Sequence, residues 1–145
     1  MQLILNHKHW EKMRKHVESS SPLEACGLLA GNNGSVREVF LIANQDQSPV
    51  GFRMEPVEQL RAFDLMEAGG LDLVAIFHSH PSGPATLSAT DIAEAAYPVV
   101  QIIWSPSNPR RTEPGFQPGT DWIARGFWIG NGKVEEVALQ ITNDE

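Results

Sequence analysis

Cysteine is nearly absent from this chain. A single thiol, Cys26, in 145 residues excludes an internal disulfide framework. Basic charge is also scarce. Eleven Lys and Arg stand against 18 Asp and Glu, a formal net charge of −7, which argues against nucleic acid as the main partner because phosphate binding needs a basic face. No apolar run reaches the roughly 18 residues that a membrane-spanning helix requires, so no membrane partner is expected. The opening Met1-Gln-Leu-Ile-Leu-Asn6 is too short for a signal-peptide core and lacks a small-residue cleavage site. With the lone thiol, this points to the cytoplasm. Repeats and low-complexity tracts are missing as well. What remains, 41% hydrophobic and 20% charged residues, describes an ordinary soluble globular protein, and the length suits one domain over residues 1–145.

Read in order, Leu3-Ile4-Leu5 is a short strand. Asn6 can cap a helix to about Ser20 with Trp10, Met13 and Val17 on its buried face. Ser21-Pro22 ends it, and Leu23 to Gly31 reads as a buried strand beginning at Glu24. Asn32-Asn33-Gly34 turns the chain into a second strand, Val36 to Ala43, and residues 44–53 form a polar loop. Pro56 suits the first turn of a helix with Val57, Leu60, Phe63 and Met66 facing inward, ended by Gly69-Gly70. Leu73-Val74-Ala75-Ile76-Phe77 is short enough for a buried strand. A helix from Ser88 to about Tyr97, a strand from Val99 to Trp104, a Pro-rich loop over 105–120, and a hairpin of Trp122–Ile129 with Lys133–Thr142 complete the chain. Strands alternating with three helices imply an α/β fold, a mixed sheet with helices packed on it. The 105–120 loop is longer than connections usually run without a purpose, and is read either as a mobile surface loop or as a flap over a substrate.

The chemistry concentrates at the end of the Leu73–Phe77 strand, in His78-Ser79-His80-Pro81 and Ser88-Ala-Thr-Asp91. Side chains two apart on a strand share a face, so His78 and His80 leave it in the same direction, roughly 7 Å apart at the backbone. Two imidazoles at that spacing can converge on one ion at the ~2.0–2.1 Å zinc–nitrogen distance, and a carboxylate at a following helix start can reach back to them. Two nitrogens and an oxygen make an open zinc site with its fourth position left for water. Ser88-x-x-Asp91 is equally a plain helix-capping pattern. A second His-x-His, His7-Lys8-His9, falls on a helix, where residues two apart diverge; His7, His9 and His16 read as solvated surface groups. Cys26 reads as packing, since no histidine partner lies near it in sequence. Glu24, taken alone, is a carboxylate at a strand edge.

Taken together, His78-x-His80-Pro81, six residues, Ser88, two residues and Asp91 resemble at every defined position the signature of the JAMM (MPN-plus) metalloproteases, of the small stand-alone prokaryotic type. Glu24-Ala25-Cys26-Gly27 resembles the glutamate-bearing strand of that family. The resemblance implies a single-domain α-β-α sandwich with a mixed β-sheet, related to cytidine deaminases. It also implies Zn2+ held by His78, His80 and Asp91, Glu24 as general base, and Ser88 as a hydrogen-bond donor to the tetrahedral oxyanion. A deaminase activity itself fails on ligands, because it needs a Pro-Cys-x-x-Cys and Cys26 stands alone. The implied substrate is the C-terminal Gly-Gly tail of a ubiquitin-like or sulfur-carrier protein, attached through a peptide or isopeptide bond. A zinc peptidase acting on small peptides and a metal-free scaffold of the same fold are the alternatives.

Overall fold

The computed structural model describes residues 2–95, 97–107, 121–130 and 132–143. The chain runs β1 (Gln2–Asn6), α1 (His7–Ser20), β2 (Cys26–Asn32), β3 (Ser35–Ile42), α2 (Pro56–Ala68), β4 (Asp72–Ser79), α3 (Ala89–Ala93), β5 (Val100–Pro106), β6 (Trp122–Gly130) and β7 (Lys133–Thr142). The strands form one mixed sheet in the order β3-β2-β4-β5-β6-β7-β1. β4 and β5 are parallel, as are β1 and β7, while β2/β3, β2/β4, β5/β6 and β6/β7 are antiparallel. The sheet curls until β1 meets the start of β3 at one residue pair, Ile4 with Ser35. Beyond that pair the outer edge of β3 has no strand partner among the described residues.

Alternation along the central strands sends their side chains to two cores, because successive residues of a strand face opposite ways. Leu29, Ala75, Phe77, Ile102 and Trp104 face α1, whose Met13 and Val17 are fully buried among them. Trp10 stacks obliquely on Trp104 with ring centroids 4.6 Å apart. Cys26, Leu28, Ala30 and Ile76 face the other way, against Ala62 and Met66 of α2. Each buried leucine is worth on the order of 1.5–3 kcal/mol relative to exposure, so one helix on either face holds the central strands in register. Among the described residues no helix is long and apolar enough to cross a membrane.

Several sequence expectations are corrected here. The regular strand starts at Cys26, not at Glu24. α3 covers five residues and none is buried; a helix to Tyr97 lacks an apolar face to anchor it, and Ile92 and Tyr97 stay 43% and 40% exposed. On α2 the buried residues are Ala62 and Met66, while Val57 and Leu60 are exposed. Of the three N-terminal histidines, only His7 is an exposed surface group. His9 closes the capping box of α1, its backbone N–H donating to Asn6 Oδ1 at 3.0 Å. His16 is half-buried, edge-on to Phe77. Residues 108–120 of the Pro-rich loop and Asn131 of the last turn lie outside the described residues.

Candidate active site

β4 carries His78 on the α2 side of the sheet, and the chain leaves the strand one residue later. His80 still donates its backbone N–H to Trp104 O at 2.7 Å, which prolongs the β4/β5 pairing and keeps His80 on the face of His78. The two imidazoles converge, Nε2 to Nε2, at 3.1 Å. Cis Gly83-Pro84 lies in the turn that follows, and Pro84 O sits 3.0 Å from His80 Nδ1. In the metal-loaded site that contact would keep the proton on Nδ1 and leave the Nε2 lone pair for the ion. Phe52 stacks on the His78 ring at 4.5 Å, closing its other face.

α3 then delivers the carboxylate. Ser88 is its N-cap: Ser88 Oγ accepts from Asp91 N at 3.0 Å, and Ser88 N donates to Asp91 Oδ2 at 2.8 Å. The capping box also aims Asp91, whose Oδ1 lies 3.2 Å from His78 Nε2 and whose Oδ2 lies 3.2 Å from His80 Nε2. Capping and convergence on the histidines are therefore one arrangement rather than alternatives. The two nitrogens lie 3.1 Å apart and each is 3.2 Å from one of the two Asp91 oxygens, separations close to the ~3.3 Å edge of a tetrahedron around an ion with ~2.0–2.1 Å bonds. The donor set fits zinc.

Glu24 comes from the opposite side of the cleft, before β2. Its backbone is fixed twice: its N–H donates to Ser48 O at 2.8 Å, and its carbonyl accepts from Asn44 Nδ2 at 3.0 Å. Ala25 N donates to Ser79 Oγ at 2.8 Å and Ala25 O accepts from Ser79 N at 3.0 Å, which ties the segment to the strand bearing the histidines. Glu24 as a residue is 5% exposed, and its carboxylate comes within 4.8 Å of the ligating atoms of His78 and His80. On distance alone Glu24, His78 and His80 form a possible ligand trio. The contacts of Asp91 with the two imidazoles, 3.2 Å each, are tighter than the 4.8 Å within which Glu24 lies.

Burial acts on each of these groups. It pushes the Glu24 carboxyl up to about 7, against the pull of the nearby His80, with the Asp91 charge adding to the rise. It lowers His78, which therefore stays neutral. At Asp91 burial is outweighed by the hydrogen bonds from His78 and His80, which hold the carboxyl well below the usual range. Burial, followed by the charges of Glu24 and Glu58, drives the Cys26 thiol up to about 12. Cys26 Sγ donates to Ile42 O at 3.4 Å and otherwise packs in the apolar cluster with Leu28, Ile42 and Ile76. It has no thiolate character at neutral pH, in keeping with a packing role.

The family profile described as prokaryotic homologs of the JAB domain matches residues 6–134. The chain belongs to this family. Among its relatives, the protein named "Probable TtuB-protein conjugate cleaving protease" from Thermus thermophilus is 36% identical over 132 residues, covering 90% of this chain and 77% of its own. The CysO-cysteine peptidase of Mycobacterium tuberculosis is 36% identical over 132 residues, covering 89% and 84%. The solution structure of a Desulfitobacterium hafniense protein superposes with a TM-score of 0.82 at 33% identity, covering 99% of this chain and 94% of that one.

The JAB-domain chain also uses residues that the sequence reading passed over. Asn44 is the hub of the loop beside the site. Its Nδ2 donates to the carbonyls of Glu24 and Gly51, each at 3.0 Å, and its Oδ1 accepts from Asp46 N and Arg53 N. An Asn directly after a strand signals an Asx turn, and only the fold reveals that the turn braces Glu24. Ser79, Pro84 and Phe52 gave no signal that could be told apart from ordinary strand and turn residues.

Proposed function

We propose that this JAB-domain chain is a zinc-dependent peptidase that cleaves the peptide or isopeptide bond after the C-terminal Gly-Gly of a ubiquitin-like or sulfur-carrier protein. The observation that carries the reading is the triangle of His78 Nε2, His80 Nε2 and the Asp91 carboxylate, with the buried Glu24 within 4.8 Å of both imidazoles. His78, His80 and Asp91 would hold the metal. A bound zinc supplies Lewis acidity toward the scissile carbonyl and the attacking water. Glu24 would take the proton of that water and return it to the departing amine as a positioned base and acid. Ser88 Oγ accepts from the Asp91 N–H, so its own proton is free for the oxyanion.

The cleft supports the substrate class. About 320 Å³ of space runs between the 49–52 loop and the 82–88 turn, lined by Glu24, Phe52, His80, Pro84, Ser88 and Asp91. A chain lying there passes between two backbone segments, and residues without side chains fit best. The names of the two relatives, one acting on protein conjugates and one on a protein–cysteine species, support the same class. The reading extends to one catalytic domain over residues 1–145, to the α-β-α layering shared with cytidine deaminases, and to the cytoplasm. Incubation of the zinc-loaded protein with ubiquitin-like fusions from the same organism, followed by intact-mass analysis, tests it. Cleavage should follow the terminal glycine and nearly vanish when valine replaces that glycine. Equal kcat/KM on the fusion and on its isolated C-terminal peptide would favour the small-peptide peptidase instead.

A further inference from the structure

The two metal-site histidines are held in different ways. His80 follows the usual pattern, in which the ring nitrogen away from the ion contacts a carbonyl, since its Nδ1 lies 3.0 Å from Pro84 O. His78 does not. Its Nδ1 is buried without a hydrogen-bond partner among the described residues, and the residue as a whole is 1% exposed. No polar group on the side away from the ion therefore fixes the rotation of this imidazole. What lies against it is the Phe52 ring, stacked with centroids 4.5 Å apart and planes 26° from parallel. Phe52 is the sole Phe, Trp or Tyr of the polar 44–53 loop, and one amide pins its neighbours on both sides. Asn44 Nδ2 donates to Gly51 O at 3.0 Å, and Asn44 Oδ1 accepts from Arg53 N at 3.0 Å. Phe52 also stands in the walls of two spaces beside the ligands. One is the cleft of about 320 Å³; the other, of about 230 Å³, is lined by Met54, Ile76, His78, Tyr97 and Gln101.

We propose that Phe52 is a positioning residue of the metal site, its ring taking the place of the hydrogen bond that His78 lacks and holding that imidazole so that Nε2 is aimed at the ion. The inference rests on the reading of His78, His80 and Asp91 as metal ligands. Two flat rings in offset contact resist turning, because rotation of either drives its edge into the face of the other. An aliphatic side chain of similar volume fills the space but offers no plane. Packing by itself makes no such distinction. Phe52 also sits on the apolar cluster of Cys26, Leu28 and Ile76, where an aliphatic side chain would serve as well. Groups that orient a metal-bound imidazole change metal affinity about 10–100-fold when they are lost. For the metal, the ring of Phe52 matters more than its volume. The bracing of Gly51 and Arg53 by Asn44 keeps that ring in place, so the loop that forms a wall of the cleft also orients a ligand.

The test is the zinc affinity of the full chain, read by competition with a chromophoric chelator, in the wild type, Phe52→Tyr, Phe52→Leu and Phe52→Met. Circular dichroism melts of the metal-free proteins establish that each is folded, and visible spectra of their Co2+ forms report the ligand geometry. Phe52→Tyr keeps the ring and should match the wild type in zinc affinity and in its Co2+ bands. Phe52→Leu and Phe52→Met should each bind zinc at least about tenfold more weakly, with altered Co2+ bands, while still melting cooperatively without metal. Two non-aromatic variants are used so that a folding defect in one leaves the comparison standing. Wild-type zinc affinity in a folded Leu or Met variant, or a Phe52→Tyr protein weakened as much as they are, would overturn the proposal. A wild type that takes up no zinc would overturn the ligand reading and this proposal with it, which is a different result. No conjugate and no hydrolysis enters these measurements, so they stand apart from the test of the peptidase reading.

Discussion

Whether Glu24 or Asp91 is the third ligand decides the mechanism, and two substitutions separate them. Glu24→Gln keeps the size and burial of the side chain and removes its basicity. The triangle of His78, His80 and Asp91, whose side chains meet pairwise at 3.1–3.2 Å, is untouched, so zinc content should remain near one per chain. Turnover should fall about 10²–10⁴-fold, or roughly 3–5.5 kcal/mol, the range for loss of a positioned base. Asp91→Asn replaces an oxygen that contacts one histidine with an amide nitrogen and removes the negative charge that the contacts with His78 and His80 stabilise against burial. Zinc affinity and turnover should both collapse. The assay is metal analysis after dialysis against a weak chelator, paired with intact-mass kinetics on one conjugate. Loss of zinc in Glu24→Gln with retention in Asp91→Asn would refute the assignment and make Glu24, His78 and His80 the ligand set.

Three further outcomes follow from the packing. A Cβ at Gly27 would run into the Phe77 ring and the Phe40 carbonyl oxygen; Gly27→Ala should therefore cost about 1–3 kcal/mol, a melting temperature lower by ~2–4 °C per kcal/mol, and an unchanged melt would show that the strands yield. Cys26→Ala should lower the melting temperature while keeping zinc and most turnover, and the wild-type thiol, raised to about 12, should resist alkylation at pH 8 until the protein is denatured; a zinc-loaded but inactive Cys26→Ala protein would reopen a thiol mechanism. Burial lowers His16 below its ordinary value in the fold, so the unfolded chain takes up a proton at higher pH than the folded one. The stability linked to His16 is thus present above pH ~6.5 and declines as pH falls, by at most about 1.4 kcal/mol per pH unit. Urea unfolding at pH 7 and pH 5 should show a smaller drop for His16→Gln, and equal drops would discount His16.

The fold was legible in the sequence where periodicity and punctuation agreed. Asn6 and the Trp10, Met13, Val17 spacing mark α1, which spans His7–Ser20 as the pattern implies. Asn33 and Gly34, both with positive φ, mark the β2/β3 turn. On α2 the same periodicity misled. Of the apolar stripe Val57, Leu60, Phe63 and Met66, Phe63 and Met66 turn to the sheet together with the small Ala62, while Val57 and Leu60 are left exposed. Which apolar residues the sheet takes is decided by tertiary packing and is invisible to a count of them. α3 failed in the opposite direction: a good cap at Ser88 started a helix that nothing buries.

At the site, the residues of the motif were legible because their spacing is local: His78 and His80 on one strand, Ser88 and Asp91 in one turn. What holds them in place was not, because those contacts join distant parts of the chain. Ala25 reaches Ser79 across 54 residues, and Asn44 reaches Glu24 across 20. Both act on the same short segment, which explains how a carboxylate just ahead of a strand, rather than within it, can be held beside the histidines. Since Asn44 also ties down Gly51, and the 49–52 loop forms one wall of the cleft, a single amide side chain sets Glu24 and that wall together. The motif therefore names His78, His80 and Asp91, while the placement of Glu24 beside them depends on a loop residue that lies outside the motif.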